Sequence, residues 1–282
     1  MPSIAESLTE AESLLAAAGV AEPRREAISL SILATKKDRT FLYAYPEHIL
    51  SDEEVKILDV LLRRRAGREP LQYISGVQEF FGLEFDVTPD VLIPRPETEM
   101  IVDRALEILR ASDGGNFCDV GTGSGCIVVS ILHELSRARG VGLDISRDAL
   151  NVAARNAEKH GTSERLQLLE SDLFSGLDTQ KFDLIVSNPP YVPAGDMAEL
   201  QAEVRDFEPH SALTDNSDGL SIIRRIVDEA PLFLASNGHL VIEMGIGQSD
   251  KVVAMFDKAL WSSAELSHDL QGIPRIVSSR LI

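Results

Sequence analysis

The sequence predicts an α/β protein: a doubly wound, mostly parallel seven-stranded sheet with an antiparallel C-terminal strand, preceded by a small helical bundle and a β-hairpin linker. Three observations carry this. From residue 116 onward, apolar strand-like runs alternate with helical patterns, the order that right-handed crossovers fold into a parallel sheet. The last two strand-like runs are joined by Asp269-Leu270-Gln271-Gly272-Ile273-Pro274, too short for a crossover helix, so that pair is expected to be antiparallel at the C-terminal edge of the sheet. Before residue 67 the apolar residues recur instead at helical spacing.

Taken in chain order, the helical stripes are Leu14, Leu15 and Ala18, then Ile28, Ile32 and Leu33, then Val55, Leu58, Leu61 and Leu62. Ser51-Asp52-Glu53-Glu54 opens the last of these helices with a cap and an acidic first turn, and Gly67 closes it. Arg63, Arg64 and Arg65 before that glycine read as a solvated last turn favoured by the helix dipole rather than as an anion site. Residues 1–75 therefore form a helical domain. Residues 76–95 form the linker, a hairpin bending near Gly76 and Gly82. Ile93-Pro94-Arg95-Pro96-Glu97-Thr98-Glu99 stiffens the chain and opens a helix whose apolar face is Ile101, Val102, Ala105, Leu106 and Ile108, beginning a third domain over 96–282. Its strands are expected at 117–120, 140–143, 166–169, 184–187, 239–243, 264–268 and 275–279.

Composition narrows the class. With 27 basic against 45 acidic residues the formal net charge is −18, a surface that repels nucleic-acid backbones and anionic membranes at long range. The first residues lack a basic, apolar signal segment, and no apolar run approaches the ~18 residues that span a bilayer, so the expected compartment is the cytoplasm. Cys118 and Cys126 match no CxxC pattern and read as small buried apolar side chains. The six histidines form no ligand-spaced cluster, so no metal is expected.

Asp119-Val120-Gly121-Thr122-Gly123-Ser124-Gly125 follows the first strand of the sheet and precedes a helical run. Gly121, Gly123 and Gly125 let the backbone turn tightly and approach a ligand, with Thr122 and Ser124 between them. Asp144, at the end of the next strand, can accept both hydroxyls of a ribose, which suits NAD and S-adenosylmethionine alike. The G-x-G-x-G spacing and the leading Asp119 separate the two: a carboxylate repels a pyrophosphate and welcomes the ammonium of a methionine moiety. The expected cofactor is therefore S-adenosylmethionine, leaving as S-adenosylhomocysteine. Asp172 and Leu173, ending the third strand at the same rim, are expected to meet the adenine, against the alternative that Asp172 merely caps a helix or turn.

Asn188-Pro189-Pro190-Tyr191 ends an apolar strand with a stiff tetrapeptide rich in acceptors. Asn188 Oδ1 and the Pro189 carbonyl can grip the hydrogens of a planar nitrogen, and Tyr191 offers a flat ring; alone, the same residues would serve as a strand-ending turn.

Together these motifs resemble the class I S-adenosylmethionine-dependent methyltransferases, whose sheet is Rossmann-like. With the segments 93–99, 186–192 and 269–275, Phe207-Glu208-Pro209 and Ala212-Leu213, the resemblance extends over nearly the whole chain to the release-factor glutamine methyltransferases. It implies N5-methylation of the glutamine in the Gly-Gly-Gln motif of class 1 peptide chain release factors, with no direct nucleic-acid or membrane partner and with the helical domain recognising the substrate. It implies Asn188, Pro189 and Tyr191 as catalytic residues, and Asn188, Pro189, Pro190, Tyr191, Arg95 and Glu97 around the substrate, with Glu243 also at the substrate mouth. Asn188 would in addition border the cofactor. Two readings compete from other directions. An N-methyltransferase for exocyclic amino groups of adenine or guanine needs the same acceptors, but also a basic surface that this sequence lacks. A dehydrogenase, or a helical binding module with an idle glycine loop, would be told apart by which cofactor binds.

Overall fold

A computed structural model describes residues 1–111 and 114–282 and divides them into two compact units. The first comprises Met1–Gly76 together with Gln201–Phe207; the second comprises Val77–Leu200 and Glu208–Ile282.

In the first unit, α1 (Ile4–Ala17), α2 (Pro23–Thr35), α3 (Arg39–Ala44), α4 (Asp52–Ala66) and α5 (Leu71–Ser75) bury one apolar cluster that includes Leu15, Leu30, Leu42, Leu50 and Leu58. Capping boxes start two of them: Ser3 with Glu6 on α1, and the expected Ser51 with Glu54 on α4. The arginines closing α4 are not all solvated. Arg65 is only 4 % exposed, and its guanidinium is shared between Glu26 on α2 and Glu203, the latter at 3.0 Å. Arg68 reaches the other oxygen of Glu203 at 2.6 Å. Glu203 lies on α9 (Ala202–Phe207), more than 130 residues away in sequence, which is why the run of arginines read as a solvated terminus.

The second unit begins with the hairpin β1 (Val77–Phe80) and β2 (Leu83–Asp86). Its two-residue turn, Phe81-Gly82, has both residues at positive φ (52° and 72°), the turn that matches strand twist. A 3₁₀ turn, Pro96–Thr98, then leads into α6 (Glu99–Ala111). Leu109, rather than the expected Ile108, completes the buried face of this helix.

The sheet follows with β3 (Asn116–Val120), α7 (Cys126–Glu134), β4 (Arg139–Asp144), α8 (Arg147–Lys159), β5 (Leu166–Glu170), β6 (Phe182–Ser187), α9, α10 (His210–Leu213), α11 (Ser221–Glu229), β7 (Leu234–Glu243), α12 (Ser249–Val253), β8 (Glu265–His268) and β9 (Pro274–Arg280). Strand order is β5-β4-β3-β6-β7-β9-β8. All pairs from β5 to β7 are parallel, and β9 is antiparallel to both its neighbours, so it alone runs against the sheet. The final strand thus inserts between β7 and β8, and β8 takes the edge. Apolar side chains cover both faces: Phe117, Ile131 and Leu184 belong to one cluster, Phe182, Ile185 and Leu240 to the other. Both cysteines are buried, and burial pushes the Cys126 thiol up to about 12. No helix among the described residues is long and apolar enough to cross a membrane.

Candidate active site

β3 is where the strand order turns, running to β4 and β5 on one side and to β6 and β7 on the other. A parallel sheet opens a crevice at the carboxyl ends of such strands. Here that crevice is a cavity of about 310 Å³, within the range of small-ligand sites, whose lining draws on the second unit alone.

The glycine loop forms one wall. Gly121 and Gly123 have φ of 75° and 55°, and a Cβ on either would meet nothing within 4 Å, so the backbone faces open space a ligand can fill. Gly125 (φ 80°) is different: its Cβ would press on Ala153 of α8 at 3.1 Å, and it is needed for packing. Asp144 at the end of β4 takes the Gly123 N–H at 2.8 Å and the Ser146 N–H at 2.9 Å, which fixes its carboxylate beside the cavity with lone pairs to spare. Burial raises its pKa. Leu173 holds a left-handed φ of 50°, strained for a branched side chain and located at the rim, with its carbonyl tied by Ser171 Oγ at 2.6 Å. Asp172 beside it is exposed, and one oxygen pairs with Arg225 at 3.0 Å.

Asp119 is not a wall residue. It is 0 % exposed, takes the Thr122 hydroxyl at 2.7 Å, and has a second oxygen, Oδ1, without a partner. Burial pushes its pKa up to about 7. Its carboxylate thus lies beneath the loop, anchoring it through Thr122, with Oδ1 left as the atom without a partner.

Asn188 also lines the cavity, and its Nδ2 donates to Thr98 Oγ1 at 3.0 Å, leaving Oδ1 as the carboxamide's free acceptor end. Pro190 also borders the cavity, whereas Pro189 is buried. Tyr191 is held behind this wall: its hydroxyl donates to Glu243 Oε1 at 3.3 Å and its carbonyl accepts from Gln248 Nε2 at 2.9 Å. Arg95 borders the cavity and pairs with buried Glu208 at 2.5 Å; the same carboxylate takes the Ile93 N–H at 3.2 Å. Glu97 is half-buried on the 3₁₀ turn and does not line the cavity. Glu243 is not at a mouth, being 2 % exposed. Thr98, Glu208 and Gln248 are the residues that pattern reading missed as site-builders, because each acts on a partner distant in sequence.

Gly219 locks the tetrapeptide from outside. At φ 74°, its Cβ would fall 2.3 Å from the Tyr191 carbonyl oxygen and 3.0 Å from Pro193 N. Gly219→Ala is expected to destabilise the protein by about 2–4 kcal/mol and to lower turnover by displacing Tyr191. Thermal unfolding equal to the parent's would remove Gly219 from this role.

The chain matches two family models: the PrmC N-terminal domain over residues 6–76 and the methyltransferase small domain over residues 102–204. It is 46% identical over 267 residues to the release factor glutamine methyltransferase of Geobacter sulfurreducens, covering 95% of this chain and 93% of that protein. It is 39% identical over 276 residues to the protein of the same name from Nitratidesulfovibrio vulgaris, covering 97% and 93%. Among solved structures, a methyltransferase from Pyrococcus furiosus superposes with a TM-score of 0.53 at 17% identity, covering 72% of this chain and 90% of that one, a likeness of fold. With identity sustained over nearly both full lengths, and the glycine loop and Asn188 facing one cavity, the chain belongs to the release factor glutamine methyltransferases.

Proposed function

We propose that the protein transfers a methyl group from S-adenosylmethionine to the side-chain N5 of the glutamine in the Gly-Gly-Gln motif of class 1 peptide chain release factors, in the cytoplasm. The observation that carries this reading is the orientation of Asn188, whose Nδ2 is committed to Thr98 so that an acceptor remains for an incoming amide.

An amide nitrogen is a poor nucleophile because its lone pair is delocalised into the carbonyl. Asn188 Oδ1, accepting one of its hydrogens, holds the nitrogen in place and stabilises positive charge developing on it. The Pro189 carbonyl serves as the second acceptor. Asp144 is suited to a ribose, Leu173 and Asp172 to an adenine, and the Gly121–Gly123 backbone to the methionine portion; the open space at the two glycines is what fits the cofactor to this loop. S-adenosylmethionine supplies a methyl group already activated on a sulfonium. No side chain has to remove the amide proton before attack, since the proton becomes acidic once nitrogen is alkylated. Among the described residues no group of three or more His, Cys, Asp or Glu is placed to hold a metal ion.

The test is labelled methyl transfer to a purified release factor, with a copy lacking the Gly-Gly-Gln glutamine and bulk RNA as controls. Label on the intact factor alone supports the reading. Label on RNA would favour the exocyclic-amine reading, against which the net charge of −18 argues. The helical unit is assigned to docking the folded factor, because a tripeptide offers little surface to recognise. A short Gly-Gly-Gln peptide is accordingly expected to be methylated at least about 10²-fold less efficiently in kcat/KM than the whole factor; equal efficiency would refute a docking role.

A further inference from the structure

We propose that Glu243 is a positioning residue for methyl transfer: acting through the Thr98 hydroxyl, its carboxylate decides which end of the Asn188 carboxamide faces the cavity. The inference rests on the proposed amide acceptor, and its geometry lies entirely within the second unit.

The register of the sheet brings the two residues together. Ser187 of β6 pairs with Ile242 of β7, so Asn188 and Glu243 follow side by side at the carboxyl ends of neighbouring parallel strands. Thr98 comes in from the 3₁₀ turn, buried at 2 % exposure. Its oxygen accepts from Asn188 Nδ2 at 3.0 Å, and its hydroxyl is near enough to the Glu243 carboxylate to lower that group's pKa. Tyr191 donates to Oε1 of the same carboxylate at 3.3 Å, while Oε2 is buried without a hydrogen-bond partner. Asn188 thus donates to Thr98 and Tyr191 to Glu243, and the Thr98 proton is free to turn toward the carboxylate.

That direction depends on charge. An ionised carboxylate only accepts, so the Thr98 proton is drawn toward it, and the Thr98 oxygen must accept from Asn188. Asn188 is then obliged to present its NH₂ to Thr98 and its carbonyl to the cavity. A protonated Glu243 can donate to Thr98 instead. The Thr98 proton then turns to Asn188, the carboxamide flips, and its NH₂ meets the hydrogens of the substrate amide, donor against donor. One buried proton thus converts an acceptor site into a repulsive one.

The surroundings place this change near neutrality. Burial pushes the Glu243 pKa up to about 7, helped by the charge of Glu97 on the 3₁₀ turn and opposed by Arg275 on β9 and by the Thr98 and Tyr191 hydroxyls. The Cys126 thiol of α7 feels its charge and stays neutral.

The experiment measures kcat, KM for a release factor and cofactor affinity between pH 5.5 and 8.5. Wild type is expected to gain about tenfold in kcat from pH 6 to 8, following one proton. Glu243→Gln keeps the shape but loses the charge; its kcat should be flat across this range and at least about tenfold below wild type at pH 8, with cofactor affinity unchanged. Thr98→Val should reproduce that loss and Thr98→Ser should largely restore it, which a merely structural role for the buried glutamate would not require. Wild-type kcat and pH profile in either Glu243→Gln or Thr98→Val overturns the proposal. Should wild type itself leave the release factor unlabelled, the proposed function fails, and the loss is recognised as distinct from a failure of the relay.

Discussion

Replacing Asn188 by alanine is expected to abolish detectable methyl transfer while leaving cofactor affinity within about threefold of the parent. The side chain borders the cavity, but its one intramolecular bond goes to Thr98, so the polar group removed is the one offered to the incoming amide. Deleting one preorganised partner of a reacting group costs about 10²–10³-fold in kcat. Here the loss is larger, because Thr98 also loses its donor and the relay from Glu243 has nothing left to orient. Asn188→Asp sharpens the test. It preserves shape but has no N–H for Thr98, and it sets a second carboxylate beside buried Glu243, so it is expected to be as inactive as alanine at neutral pH. Single-turnover methyl transfer, together with calorimetric titration of cofactor, separates the two effects. Parent-level turnover in either variant would take Asn188 out of the reaction.

What could be read from the sequence was whatever is local. The glycine loop, Asp144 at the end of a strand and the tetrapeptide after β6 each lie within a few residues of the element that positions them, and the structure gathers the loop, Asp144 and Asn188 at one cavity. Residues whose meaning depends on a distant partner were opaque. Arg65 reads as part of a solvated helix end, yet Glu203 lies beside it; Asn188 and Glu243 are 55 residues apart and meet only through the register of β6 and β7, with Thr98 brought in from the turn before α6. The depth of Asp119 is not legible for a related reason: the pattern marks it as belonging to the loop, but not as buried with its carboxylate on Thr122. Among the strands, the start of β7 was expected five residues late. Asn237-Gly238 reads as a turn, yet the strand carries both through an irregularity in its pairing with β6.

Stability should fall as pH rises from 5.5 to 8, and buried Asp119 and Glu243 are the main reason. Asp119 and Glu243 both have pKa values pushed up to about 7 by burial, from ordinary values of 3.8 and 4.5. Where a folded-state pKa exceeds the unfolded one, the folded chain holds its proton longer. The stabilisation is then complete below the unfolded value and is lost as pH climbs through the folded one. Between pH 5.5 and 8 each group withdraws about 2 kcal/mol, since one pKa unit is worth about 1.4 kcal/mol. The carboxylates with depressed values, Glu203, Asp215 and Asp269 among them, act in the other direction but titrate below this window. Burial and Arg104 lower the His239 pKa, so its contribution is lost on going down through its folded pKa, and being half-buried it offsets only part of the trend. The net charge of −18 adds a general repulsion at higher pH, which is common to every variant. Asp119→Asn and Glu243→Gln should therefore each flatten the fall in unfolding temperature between pH 5.5 and 8, and each should be more stable than wild type at pH 8. The gain in stability comes with a functional loss in Glu243→Gln, because the buried charge that weakens the fold is the one that turns Asn188 toward the substrate. A wild-type protein that unfolds at the same temperature at both pH values, or variants that track its slope, would show that these carboxylates are ionised without strain in the folded chain.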